Sequence, residues 1–213
     1  MKYLYLDASD MNETVLQAAN EKQIFHESFK TERDLASKLP SLIDFILEKA
    51  ELSKKDLDCL AICAGPGSLT GLRVAMSFFR LVAFAGSYKL VSLNLFELIR
   101  ESMRLKGEKG EVSIILPTLI NSAFAITCNL EEDEKLQQPR LIQLSEAKDL
   151  LGKKVGMACA ADIAEEICIA PEAIDTIIKK KYETAASDFK DILKVLPMYI
   201  IPSQAERKLE AIK

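Results

Sequence analysis

The stretch AGPGSLTGLR, Ala64–Arg73, holds three of the chain's eight glycines within seven positions. An apolar run, Leu57–Cys63, leads into it, and an apolar, helix-like run to Ala85 leaves it. The pattern is that of a strand, a tight turn and a helix start. Gly65 and Gly67 permit backbone angles that residues with a Cβ resist, and Ser68 is placed to cap the helix. Gly71 with Ala75 keeps one helix face thin. A structural turn is therefore assigned to Gly65, Pro66, Gly67, Ser68, Thr70 and Gly71.

Three chemical readings of the turn compete with this one. A phosphate-binding P-loop needs G-x-x-x-x-G-K-[ST], and no lysine is present here. The spacing Gly65, Gly67, Gly71 comes nearer to a dinucleotide fingerprint, yet no acidic residue ends the next strand at Leu93 to hold a ribose. A nucleophile elbow needs glycine two residues either side of Ser68, where Pro66 and Thr70 stand. Some anion contact at the helix N-terminus stays open.

Working outward, KYLYLDA, ETVLQAA and QIFHESF alternate as strands do, with polar breaks between them, and predict a three-stranded antiparallel meander. From Thr31 the period changes: Leu35, Leu39, Leu42, Ile43 and Ile46 mark a helix, with Thr31 and Asp34 resembling a cap and Pro40 expected to kink it. After the helix that follows the glycine turn, KLVSL reads as a strand and Asn94 as the cap of a helix, LFELIRESMRL. Strand, helix, strand implies a parallel pair with a right-handed crossover. The polar KGEKGE stretch predicts a boundary between residues 1–106 and 107–213. In the second half, strands are expected at EVSIILPTL, AFAITCNL and KKVGMACA, and helices at LSEAKDLLG, ADIAEEICIA and ETAASDFKDILKVL. That half repeats the sheet-first, helix-later plan in reduced form.

Composition excludes several classes. The net charge is −4, spread evenly along the chain, so no broad cationic face for nucleic acid is expected. Lys179–Lys181 reads as a solvated stretch and Glu131–Glu134 as an exposed loop. The start MKYLYLDASD carries charge where a signal peptide has an apolar centre; no membrane association and a cytoplasmic location are expected. Five cysteines (Cys59, Cys63, Cys128, Cys159, Cys168) form no C-x-x-C pair and read as buried free thiols. His26, the only histidine, reads as a surface or edge residue, and one histidine builds neither a triad nor an H-x-x-x-H metal pair. Asp7, Ser9 and Asp10 sit where sheet-first nucleotide-binding folds place a phosphate loop, but without glycine or lysine. Glu97 and Glu101 give a charged helix surface. No complete active site emerges from the residues alone.

The helix after the turn is more telling. In LTGLRVAMSFFRLVAFA only Arg73, Ser77 and Arg80 interrupt the apolar surface, whereas a helix on a sheet needs a stripe only about 100° wide. Paired with the Leu35–Leu47 helix, it leaves a hydrophobic ridge of the kind that marks subunit interfaces.

An LDxS-type first hairpin, L-P-x-L-I-D at Leu39–Asp44, LDCLAICAGPGSLTGLRVAMSFFRLVAFA followed by KLVSLNLFEL, and LPMYI at Leu196–Ile200 together resemble the TsaB (YeaZ) family of bacterial tRNA threonylcarbamoyladenosine biosynthesis. The family's G-P-G-S-F-T-G-[VL]-R is matched from Gly65 to Arg73 with Leu69 in place of Phe. Ala64 stands where the family commonly has Arg, Asp7-Ala8-Ser9 where it has D-T-S, and Pro117–Phe124 replaces its D-A-R-x-x-E-V-Y. The resemblance implies an actin-like, sugar-kinase and Hsp70-type (ASKHA) α/β fold of two related domains, the second degenerate. It also implies a role without catalysis: a scaffold that docks the transferase TsaD, with the ATPase TsaE joining and tRNA engaged through the complex, and a homodimer when alone. No cofactor is expected on this chain; ATP and metal belong to the partner subunits. The interface it implies lies on the two helices, at Leu35, Leu39, Leu42, Ile46, Leu72, Ala75, Met76, Phe79, Val82 and Ala83. The rival readings are a small-molecule kinase or nucleotide-binding enzyme of the same fold, and a regulatory homodimer.

Overall fold

Strands β1 (Tyr3–Asp7), β2 (Glu13–Ala19) and β3 (Ile24–Lys30) form the expected antiparallel meander, with Leu6 opposite Leu16 and Gln17 opposite His26. The computed structural model describes residues 1–31, 34–118, 121–132, 136–157 and 163–200. Helix α1 (Leu35–Lys49) follows and runs continuously through Pro40. Its end is not capped by Thr31, whose hydroxyl instead pairs with that of Thr14 at 2.7 Å. Then come β4 (Cys59–Cys63), helix α2 (Leu69–Gly86) and β5 (Lys89–Leu93), with β4 parallel to both β1 and β5. The sheet order is β3-β2-β1-β4-β5.

Helix α3 (Leu95–Leu105) starts as expected at Asn94: Glu97 N donates to Asn94 Oδ1 at 3.0 Å and Asn94 N to Glu97 Oε2 at 3.0 Å, a reciprocal cap. The second sheet contains β6 (Glu111–Pro117), β7 (Ser122–Asn129), β8 (Arg140–Gln143), β9 (Lys153–Gly156) and β10 (Glu165–Glu166). Its order is β8-β7-β6-β9-β10, antiparallel across the first three strands and parallel across the last. This repeats the first sheet strand for strand, so the two halves share one plan.

Several expectations are corrected. The segment ADIAEEICIA is not a helix: among its described residues, Glu165–Glu166 pair with Val155–Gly156, and sheet pairing overrides the local helical pattern. LSEAKDLLG contains only a 3-10 turn, Leu144–Asp149. The long last helix shrinks to α5 (Phe189–Lys194). Lys179–Lys181 end a helix, α4 (Pro171–Lys181), whose proline opens its first turn and whose Ala173, Ile174, Ile177 and Ile178 are buried. Lys181 Nζ reaches both Glu97 carboxylate oxygens at 2.7 Å and the Ser92 carbonyl at 3.0 Å. The 106/107 boundary also fails. One unit is Met1–Leu98 with Ala170–Met198, and the described core of the other is Ile99–Ile169.

The reason for the return is physical. Leu4, Leu6, Leu16, Leu60 and Ile62 point to one side of the first sheet and form a core with α1 and α2. Tyr3, Tyr5, Asp7 and Gln17 alternate to the other side and are buried as well. Gln17 Nε2 donates to the Pro171 carbonyl at 3.0 Å, which places α4 on that second face. A sheet buried on both faces needs two covers, and the chain supplies the second from residue 170 onward.

Candidate interaction surface

The glycine turn is built by close packing. Gly65 has φ +100°, which favours glycine, and a Cβ at Gly67 or Gly71 would overlap the carbonyl oxygens of Ser9 and Ala8. The turn thus lies directly on the β1–β2 turn. Ser68 N donates to the Ser9 carbonyl at 2.7 Å, and Gly71 N donates to Ser68 Oγ at 3.3 Å, the expected cap. Two amides that would face an anion at the start of α2 are therefore already spent. Thr70 is exposed and Pro66 buried.

The structure divides the expected interface residues. Leu35, Leu39, Ile46, Leu72, Ala75, Met76, Phe79 and Ala83 are buried in the chain's own core, Phe79 fully, so they are not available to a partner; only Leu42 and Val82 are half-buried. The apolar surplus exists, but it points outward from other positions. Leu81 is 66% exposed and Phe84 53%, and Leu69 and Phe45 are exposed too. By length and composition α2 could even cross a membrane, yet one side of it packs in a sheet core. Periodicity found an all-apolar helix; it could not say which side the chain's own sheet would take.

Between α1 and α2 runs an apolar groove of about 500 Å³, lined by Pro40, Ile43 and Leu47 on one side and Phe78, Leu81 and Val82 on the other. Its rim is polar. Lys54 Nζ lies 2.7 Å from Asp44 Oδ1, and the Tyr88 hydroxyl donates to the Lys54 carbonyl at 2.7 Å. Phe45 is steadied by an edge contact with Phe29 at 5.8 Å and by Lys49 Nζ, 5.0 Å above its ring. An apolar centre with a charged margin suits protein association better than chemistry.

Other candidate chemistry is accounted for locally. Cys59 and Cys63 are buried, as expected, and burial pushes the Cys59 thiol up to about 12 and Cys63 well above its usual value. Cys128 is half-buried, Cys168 is exposed, contrary to expectation, and Cys159 lies outside the described residues. His26 is on the edge strand β3. Gln17 Nε2 donates to the Tyr3 hydroxyl and the Pro171 carbonyl, so its Oε1 must accept from His26 Nδ1 at 2.8 Å, fixing the tautomer. Among the described residues no group of three or more His, Cys, Asp or Glu could hold a metal.

Asp7 is the one buried carboxyl beneath the turn, 8% exposed. Ser9 N donates to its Oδ1 at 2.8 Å and the Tyr5 hydroxyl to its Oδ2 at 3.3 Å. Burial outweighs these bonds and holds the carboxyl above its ordinary value. The folded state therefore binds this proton more tightly than the unfolded one, and stability falls as pH rises from about 3.9, the unfolded value, through the raised folded value. Asp7→Asn removes the charge and keeps one oxygen to accept from Ser9 N, while its Nδ2 faces the Tyr5 hydroxyl as a donor and the hydroxyl turns to accept. Its melting temperature should exceed that of the natural chain at pH 7 and the difference should shrink as pH falls below ~4, where the natural carboxyl is protonated in both states.

A doubled β3-β2-β1-β4-β5 sheet flanked by helices places the chain in the actin-like, sugar-kinase and Hsp70 (ASKHA) class of folds. The family model described as "TsaD: tRNA N6-adenosine threonylcarbamoyltransferase" matches residues 15–123, just over half the sequence, and the chain belongs to that family. Two solved structures from Pseudomonas aeruginosa match it almost end to end. One is an uncharacterized protein with similarity to peptidase YeaZ, at TM-score 0.73 and 15% identity, covering 94% of this chain and 99% of the other. The second is YeaZ itself, at TM-score 0.70 and 15% identity, covering 93% and 99%. These establish the fold and agree with the YeaZ resemblance read from the sequence. Among curated proteins, a tRNA N6-adenosine threonylcarbamoyltransferase from Chlorobium phaeobacteroides is 25% identical over 150 residues, covering 63% of this chain and 42% of the relative. One from Legionella pneumophila is 26% identical over 150 residues, covering 65% and 44%. The chain thus spans less than half the length of these relatives.

Proposed function

We propose that this chain is the TsaB-type, non-catalytic subunit of the machinery that forms N6-threonylcarbamoyladenosine next to the tRNA anticodon. It docks the catalytic subunit TsaD through the outward face of α1 and α2. The observation that carries this reading is the apolar groove between those helices, continued by the exposed Leu81 and Phe84. Two further observations support it. The fold matches that of YeaZ over 93% of this chain, and the amides at the start of α2 are already bonded within the turn. In this reading ATP and metal reside on TsaD and TsaE, tRNA is met through the complex in the cytoplasm, and in isolation the same face pairs with a second copy. No membrane takes part.

The test is reconstitution of threonylcarbamoyl-adenosine synthesis from purified subunits. Omitting this chain should stop modification, and this chain alone should form none. Full modification without it would favour a regulatory homodimer outside this reaction, and micromolar ATP–magnesium binding with turnover by the isolated chain would favour an enzyme of the same fold.

A further inference from the structure

Resting on the docking role proposed above, we infer that the partner-binding face continues past α2 onto α5, so that Phe189 and Leu193 meet the same catalytic subunit as Leu81. Helix α2 is flanked on both sides. The groove and α1 lie to one side of Leu81; to the other, Phe84 meets Phe189 with ring centroids 4.8 Å apart. Helix α5 is fixed to the core by Ile192, which is buried, and its start is capped by Asp188, whose Oδ1 accepts from Asp191 N at 2.8 Å. Phe189 and Leu193, one helical turn apart, flank Ile192 on the helix surface and are 52% and 43% exposed.

The exposure is costly unless it is used. A helix of six residues gains little from its own hydrogen bonds, so a segment this short is held by packing, and packing secures only Ile192 strongly. Leu81, Phe84, Phe189 and Leu193 nonetheless form one run of exposed apolar side chains across two helices, joined by the Phe84–Phe189 contact, with the exposed Lys190 and Lys194 next to the two α5 residues in the chain. Contiguous apolar surface with a charged margin is the pattern of a partner site. Because this run is continuous with the groove, one occupant covers both.

The test compares Leu193→Glu with Leu81→Glu, measuring affinity for purified catalytic subunit by calorimetry and folding by thermal melting. Leu193→Glu should weaken binding by about tenfold or more at an unchanged melting temperature. Should the charged variant unfold, Leu193→Ala, which only removes exposed surface, is expected to weaken binding in the same direction. If Leu81→Glu abolishes binding while both Leu193 variants bind normally, α5 lies outside the contact and the inference falls, with the docking role intact. If neither site affects the catalytic subunit but both dissolve a dimer of this chain, a second copy is the occupant, and both the inference and the docking role fall.

Discussion

A chain ending at residue 106 is expected not to fold, even though it contains every strand of the first sheet. The sheet's second face, bearing Tyr3, Tyr5 and Gln17, is covered by α4, which begins 65 residues after that truncation point. Removing α4 strips the buried Ile174, Ile177 and Ile178 from their sites. At about 1.5–3 kcal/mol each, their burial is worth roughly 5–9 kcal/mol, comparable with the whole stability of an ordinary domain. It also leaves Gln17 Nε2 without the Pro171 carbonyl and Glu97 without Lys181. Circular dichroism of the 1–106 fragment should show no cooperative melting transition. Adding residues 170–198 through a short linker should restore one, because those two segments make up a compact unit. A cooperative transition in the fragment alone would mean that α4 is dispensable.

That dependence explains which parts of the fold could be read from the sequence. The meander is written in three short strand-like runs separated by polar breaks, the turn in three glycines, and α3 in the Asn94–Glu97 cap; each is local. Helix α4 also left a local mark, Pro171 at its start and Ile174, Ile177 and Ile178 at helical spacing, but its three terminal lysines read as a break. What no local pattern carries is the pairing of the residue 170–198 segment with the first sheet, which follows only from counting how many faces of that sheet are apolar. Tyr3, Tyr5 and the cysteines Cys59 and Cys63 were that signal. Which side of α2 faces outward was hidden for a related reason. Leu72, Met76 and Phe79 are the most apolar stripe of α2 and were assigned to a partner, yet the most apolar stripe is the one a chain buries in itself. The residues left to bind are those that look surplus once the core is filled.

This distinction makes the second large effect specific. Leu81→Glu places a charge at a position that is 66% exposed in the isolated chain, so it costs the fold little, whereas Phe79→Glu or Ala75→Glu puts one at a fully buried position. Burying an uncompensated carboxylate is worth on the order of 3–5 kcal/mol in either setting. For Phe79 and Ala75 that cost is charged to folding. Under the docking proposed above it falls, for Leu81, on the complex, since the groove wall would be buried only by the partner. Leu81→Glu should therefore melt within about 2 °C of the natural chain and yet lose 10²-fold or more in affinity for the catalytic subunit, with modification in the reconstituted reaction falling in parallel. Phe79→Glu should lose both fold and function together, which tests nothing about docking. An unchanged affinity for Leu81→Glu would place the partner elsewhere and remove the basis for reading α1 and α2 as the interface.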